Sequence, residues 1–392
     1  MKKIKLGVLG YGNIGTLHVN NVIDGKCAEV EISAICDLND EKLEQAKEKA
    51  PNAKLFKDAK EMIESGVIDS LLVAVPHYDH PKYAIMALEK GLNVLIEKPA
   101  GVDTKQVKEM IEIAEKSGGV FGIMMNQRTN CIYRKMREIV KSGKLGQIKR
   151  TSLIITDWYR PQCYYDSGDW RATWSGEGGG VLLNQCPHNL DLWQWICGMP
   201  VTVDSKMRFG RLHDVEIEDE VTTYVEYANG ATGTFITTTG EAPGANRFEV
   251  VCDGGTLVCE GNKLILKKLE MRESEFTKTN KVSFAAPKCT VSTVETDGLN
   301  LQHRGIRDAF AAAILRDEPL IADGREGING LMLSNAMHLS AWTGKTVELP
   351  FDEQLFKDLL MEHVKTSRRK VSTGAATEVA DLSDTYGSKA SK

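Results

Sequence analysis

The chain has 392 residues, 42% apolar and 26% charged, with a formal net charge of −5. That length suits two soluble domains, each with its own core. The acidic balance argues against a nucleic-acid partner, and no apolar run approaches the ~20 residues of a membrane span.

The N-terminal stretch MKKIKLGVLGYG stops at glycines after a short apolar run. It reads as a strand, because a signal peptide needs a longer apolar region and a small-residue cleavage site. Strand-like runs follow at 31–37, 69–76, 93–99 and 120–126, after the first at 4–10. Helical patterns lie between them near 13–24, 40–50, 79–90 and 104–117. Strand and helix alternating in this way predict an α/β, doubly wound parallel sheet over residues 1–126. A helical pattern at 130–142 and a strand at 147–158 open a different texture. Strands dominate 201–269, with Asn229-Gly230 as a hairpin signal between alternating runs. Helices return at 301–316 and 325–343. Residues 127–350 therefore read as an α+β domain built on an antiparallel sheet. Residues 351–392 read as a C-terminal helix and a mobile tail, the last part being rich in Ser, Thr, Ala and Lys. The nine cysteines form no CxxC pair and their count is odd. With no export signal read, free thiols in a reducing cytoplasm are expected, and no structural metal.

Residues 10–15 read Gly-Tyr-Gly-Asn-Ile-Gly, directly after a predicted strand and at the start of a predicted helix. Gly10 permits the tight turn, Gly12 lets the backbone approach a pyrophosphate, and Gly15 lets helix and strand pack closely. The helix start, with Asn13 and Ile14, offers unpaired N–H groups to phosphate. Asp37 ends the second predicted strand, where a carboxylate accepts ribose hydroxyls and repels a 2′-phosphate. NAD is therefore expected rather than NADP.

Lys98 lies in Glu97-Lys98-Pro99, at the C-terminal end of a predicted strand, the edge where open α/β sheets place ligands. Further on, EGGGVLLNQCPHNLDLWQW (177–195) sets Asn184, His188, Asp191 and Trp195 at helical spacing, on one face. Pro187 interrupts that ladder, so a kink is expected. A phosphate cradle, a metal site, a catalytic pair and a buried polar stripe are all compatible with this pattern. The loop 157–177 before it holds Trp158, Tyr159, Tyr164, Tyr165, Trp170 and Trp174, with Arg160 and Arg171. Flat aromatic faces suit pyranose C–H groups, although a subunit interface is enriched in the same residues.

The glycine motif, the Glu97-Lys98-Pro99 turn and GGG-x-L-x-N-x-x-x-H-x-x-D at 178–191, in that order, resemble the Gfo/Idh/MocA family of NAD(P)-dependent oxidoreductases. The resemblance implies a Rossmann dinucleotide-binding domain at 1–126, followed by a substrate and oligomerisation domain at 127–350 with a large open-faced antiparallel sheet. It implies sugars, cyclitols or glycosides as substrates, oxidised at a secondary hydroxyl, with C3 of a pyranoside as one target. It maps catalysis onto Lys98 and His188: His188 would take the hydroxyl proton and Lys98 would stabilise the developing alkoxide. Many relatives carry an aspartate where this chain has Asn184, which would hydrogen-bond a sugar hydroxyl instead. The expected cofactor set is Gly10, Gly12, Asn13, Ile14, Gly15, Asp37, Pro76, His77, His80, Glu97, Lys98, Asn126, Arg171 and Trp174. The expected substrate set is Lys98, Arg128, Trp158, Arg160, Tyr165, Asn184 and His188. The family also includes redox-neutral glycosidases that retain NAD and non-catalytic sensing regulators, which stand as alternatives. A homodimer or homotetramer is expected, since an open sheet needs covering.

Overall fold

The structure is a computed structural model that describes residues 2–368. Its elements begin β1 (Ile4–Leu9), α1 (Asn13–Ile23), β2 (Val30–Cys36), α2 (Asp40–Lys49), β3 (Lys54–Phe56), α3 (Ala59–Glu64), β4 (Ser70–Val73), α4 (His80–Glu89), β5 (Asn93–Ile96), α5 (Thr104–Ser117) and β6 (Phe121–Ile123). These strands form one six-stranded sheet in the order β3-β2-β1-β4-β5-β6, every pair parallel. Val8, Leu71, Leu72, Val73 and Val94 are fully buried, which explains the unbroken apolar runs. The strand order reverses between β1 and β4, the switch point beyond whose carboxyl ends open α/β sheets place ligands. Asn39 caps α2 and Asp103 caps α5, each accepting from first-turn N–H groups. The short β3 and α3 escape the sequence reading, because three and six residues carry too little periodicity.

The chain continues with α6 (Cys131–Lys141), β7 (Ile148–Ile155), α7 (Gln162–Asp166), α8 (Pro187–Cys197), β8 (Thr202–Phe209), β9 (Glu218–Glu226), β10 (Thr232–Thr238), β11 (Asn246–Cys252), β12 (Gly255–Glu260), β13 (Lys263–Leu269), α9 (Glu273–Thr279) and β14 (Cys289–Thr293). It ends in α10 (Gln302–Arg316), α11 (Gly327–Thr343), β15 (Val347–Glu348) and α12 (Glu353–Thr366). The first compact unit runs to Asn130 and takes back Asn300–Met332, and the second comprises Cys131–Leu299 and the chain from Leu333. The sequence reading placed 300–332 in the second domain. α10 instead packs in the first, with Phe310 against Gly122 of β6 and Arg307 reaching His18 of α1. The tail expected after α12 lies outside the described residues.

The second unit is built on a nine-stranded sheet, β14-β13-β12-β11-β7-β10-β9-β8-β15. All its pairs are antiparallel except β7 with β10, so the sheet is mixed rather than purely antiparallel. The Asn229-Gly230 turn joins β9 to β10 with Gly230 at φ +80°. α8 covers one face: Trp193 stacks on Phe235 of β10 at 5.6 Å and donates to Thr151 of β7 at 3.0 Å. Among the described residues no helix is long and apolar enough to cross a membrane.

Candidate active site

The glycine loop fits a dinucleotide. At Gly10, which has φ +93°, an added Cβ would lie 2.4 Å from Ala74 O, and at Gly15 it would lie 1.9 Å from Gly10 O. Both glycines are required by the protein's own packing. Gly12 differs, because a Cβ there meets nothing within 4 Å, so the space beside it is open for a ligand. α1 begins directly after Gly12 with Asn13, Ile14 and Gly15, and has no acidic residue in its first turn. Its leading N–H groups and positive dipole end suit a pyrophosphate. Asp37 is tied to this loop: it accepts from Tyr11 N at 2.7 Å and Asn39 N at 2.9 Å, leaving lone pairs for ribose hydroxyls.

Past β4, Pro76 leads into a single turn His77–Asp79, where His77 is buried. His80 follows at the start of α4, buried, with Nδ1 2.7 Å from Pro99 O and Nε2 2.7 Å from Val75 O. Each ring nitrogen thus lies against a backbone carbonyl, and the ring ties the β4 turn to the β5 turn. Burial lowers its pKa, against the pull of the two carbonyls.

The Glu97-Lys98-Pro99 turn leaves the end of β5. The Glu97 side chain is 4% exposed and engaged within the unit. One oxygen lies 2.6 Å from His18 Nε2 and the other accepts from Lys98 N at 3.2 Å. His18 in turn accepts from Arg307, whose Nε also donates to Cys27 Sγ at 3.4 Å. His303 packs edge-on to His18 at 5.6 Å, and burial lowers its pKa to about 3. No sequence motif announces this cluster, since its members stand 79 and 289 residues apart. Lys98 itself is half-buried. Asn126 donates to Gln302 at 2.7 Å, while its Oδ1 is a buried acceptor with no hydrogen-bond partner among the described residues. Arg128, expected at the substrate, is 1% exposed and pairs with Glu326, which gives it a structural role in this unit.

In the second unit the three glycines lie against the start of β9. Gly180 N and Leu182 N donate to the Glu218 carboxylate at 2.8 and 3.0 Å, and Val181 N donates to Glu218 O at 3.1 Å. A Cβ on Gly180 would sit 2.1 Å from Glu218 O. The absence of a side chain at Gly180 lets the loop close onto Glu218. His338 of α11 backs the same carboxylate, with Nε2 3.0 Å from it.

α8 starts at Pro187, which occupies its first turn, where the missing N–H costs nothing. Pro187 begins the helix rather than kinking it, so Asn184 precedes α8 and the expected four-residue face shortens to His188, Asp191 and Trp195. His188 is 2% exposed in the first turn, and Asp191 accepts from Gln194 at 2.9 Å. Asn184 donates to Glu177, a carboxylate that also accepts from Ala172 N at 2.7 Å. Burial raises the Glu177 pKa, opposed by the Ala172 N–H and the Arg171 charge. Sequence reasoning missed Glu177 and Glu218, since neither falls in a recognisable pattern.

The aromatic loop divides into packing and surface. Trp158 donates to Asn189 at 3.2 Å, and Tyr165 donates to Thr239 at 2.7 Å while 2% exposed. Trp174 is buried, stacked on His363 of α12 at 4.9 Å and 5.7 Å from Trp342. Trp158, Tyr165 and Trp174, expected at substrate or cofactor, thus have packing reasons of their own. Arg160 and Arg171 are half-buried and flank Tyr164 at 5.2 and 4.8 Å, forming a cationic–aromatic surface.

Residues 4–125 match the oxidoreductase family described by an NAD-binding Rossmann fold, and residues 133–258 match the GFO/IDH/MocA C-terminal domain. Myo-inositol 2-dehydrogenase of Thermotoga maritima is 28% identical over 200 residues, 50% of this chain and 56% of that protein. D-glucoside 3-dehydrogenase of Escherichia coli (strain K12) is 27% identical over 198 residues, 50% of this chain and 55% of that protein. The chain thus spans about half the length of the curated relatives it matches. The WlbA dehydrogenase from Bordetella pertussis, solved with NADH and UDP-GlcNAcA, has a TM-score of 0.77 at 25% identity over 90% of this chain and 99% of that one. With both domains matched in order on a fold that carries the glycine cradle and Lys98, this chain belongs to the GFO/IDH/MocA family of oxidoreductases, and its first unit is an NAD-binding Rossmann domain.

Proposed function

We propose that this protein oxidises a secondary hydroxyl of a sugar, cyclitol or glycoside, with NAD as hydride acceptor. The observation that carries this reading is Lys98, placed at the carboxyl end of β5 in a sheet whose glycine loop leaves ligand space at Gly12. The names of the relatives, an inositol 2-dehydrogenase and a glucoside 3-dehydrogenase, support the substrate class. C3 of a pyranoside is the favoured target, supported by the Arg160–Tyr164–Arg171 surface, which can stack a ring face and donate to its hydroxyls.

When bound, nicotinamide supplies the hydride acceptor. Asp37 would hold the ribose hydroxyls and disfavour a 2′-phosphate, and Gly12 with the start of α1 would hold the pyrophosphate. The Lys98 ammonium stabilises negative charge on the substrate oxygen as its proton leaves. His188 takes that proton as a neutral imidazole. Asn184, with its amide nitrogen turned to Glu177, orients a neighbouring hydroxyl but cannot act as a base.

The test is NAD⁺ reduction against inositols, free sugars and methyl glycosides, with wild type and His188→Ala. NADH formation with at least one pyranoside is expected. In His188→Ala, turnover should fall by about 10²-fold or more while NADH still binds. Unchanged turnover in that variant overturns the role of His188. Glycoside cleavage without net NADH overturns net oxidation and identifies a redox-neutral glycosidase.

A further inference from the structure

We propose that His18 is a positioning residue: held between Arg307 and Glu97, it fixes the turn that carries Lys98 and couples it to the helix that binds the dinucleotide. His18, Glu97 and Arg307 are 0%, 4% and 1% exposed. Arg307 is a permanent cation with only donors, so its contact obliges His18 Nδ1 to accept. The ring proton is then on Nε2, 2.6 Å from Glu97 Oε1. The second Glu97 oxygen accepts the backbone N–H of Lys98 at 3.2 Å. A cation, an imidazole and a carboxylate thus run in series from α10 through α1 to the backbone of Lys98.

Such a buried polar chain is a poor source of stability, since desolvation offsets most of the attraction. What it supplies is a single geometry. Each member has one orientation that satisfies its neighbour, and the last donor in the series belongs to Lys98. Because His18 sits on α1, the helix that begins at Gly12, displacing either end moves the other. His303 and Asn126 close the remaining side, at 5.6 Å from His18 and 3.4 Å from His303 respectively.

The proposal rests on Lys98 acting at the substrate, and the experiment separates the two ideas. Wild type, His18→Ala, His18→Gln and Lys98→Met are compared with NAD⁺ and either myo-inositol or methyl glucoside. For each, kcat, both KM values and NADH affinity by fluorescence titration are measured. Loss of alignment predicts a fall in kcat of about 10²-fold in His18→Ala, with KM for NAD⁺ and NADH affinity little changed. Gln can donate to Glu97 as His18 does, so His18→Gln should recover much of the loss. In parallel, labelling of the Lys98 amine by an amine-selective reagent, mapped by mass spectrometry, should change in His18→Ala relative to lysines elsewhere. If His18→Ala does not fold, Glu97→Gln takes its place; it shortens the same series, and the same kcat-against-KM split is expected. Wild-type kcat in the substituted protein with an inactive Lys98→Met overturns the positioning role. A loss that appears only as weaker NADH binding also overturns it. Turnover that survives Lys98→Met overturns the role of Lys98 instead, and unchanged Lys98 labelling then decides against His18 independently of activity.

Discussion

Gly12→Ala and Gly15→Ala should fail in opposite ways. Gly12 has φ −74° and ψ −167°, a conformation any residue adopts, and an added Cβ meets nothing within 4 Å. Gly→Ala at such a site gains about 0.4–1 kcal/mol from the unfolded chain and loses roughly 0.5–1.5 kcal/mol at the helix cap. Stability should therefore stay within about 1 kcal/mol of wild type, a shift of roughly 2–4 °C at most for a domain of this size. The same methyl enters the space next to the start of α1, so NADH affinity should fall about tenfold or more, at least ~1.4 kcal/mol. At Gly15 the Cβ would lie 1.9 Å from Gly10 O, and backbone must move to admit it. Overpacking of that kind costs about 1–3 kcal/mol, or several degrees. Thermal unfolding of the apo protein and NADH titration of both variants provide the assay. Wild-type NADH affinity in Gly12→Ala, or a melting loss equal to that of Gly15→Ala, would refute the assignment of the open space to the pyrophosphate.

Three other outcomes are expected. Asp37→Ala should narrow the preference for NAD over NADP, measured as the ratio of kcat/KM for the two cofactors, because the charge that repels a 2′-phosphate is gone. Gly180→Ala should destabilise the second unit by about 2 kcal/mol or more, since a Cβ 2.1 Å from Glu218 O pushes the loop off its carboxylate; unchanged calorimetric unfolding would contradict it. Acid should destabilise the first unit before carboxylates titrate. His303 has its pKa lowered to about 3 and His18 is also lowered, so the unfolded chain binds protons that the fold does not. Stability is then complete above the ordinary histidine range and falls from about pH 6.5 downward, by about 1.4 kcal/mol per pH unit for each proton taken up. A flat melting temperature between pH 7 and pH 5 would show that these rings are protonated in the fold.

Much of the first unit was legible because its signals are local. The glycines at 10, 12 and 15, the apolar β runs and Asp37 are each legible within a few residues, and Tyr11 N ties Asp37 to the glycine turn. The order of motifs along the chain likewise indicated the family. Signals that depend on length failed where elements are short, as for β3 and α3. The one-face reading of 184–195 failed for a local reason too: Pro187 is tolerated at the start of a helix as readily as it breaks one, and periodicity cannot distinguish these.

What composition and motif established is which chemistry the chain carries: a dinucleotide cradle, a lysine after a strand, a histidine after a glycine run. What those residues are doing in three dimensions came from folding. The partners of Glu97 and His80, namely His18 and the carbonyls of Val75 and Pro99, are visible only in the folded chain. The glycine run at 178–180 gives no hint in the sequence that Glu218 lies against Gly180 and Leu182. His18, Arg307 and Glu177 had no sequence signal. A buried polar group must find its partner wherever the fold supplies one, and that partner's distance along the chain is set by topology, which no local pattern records.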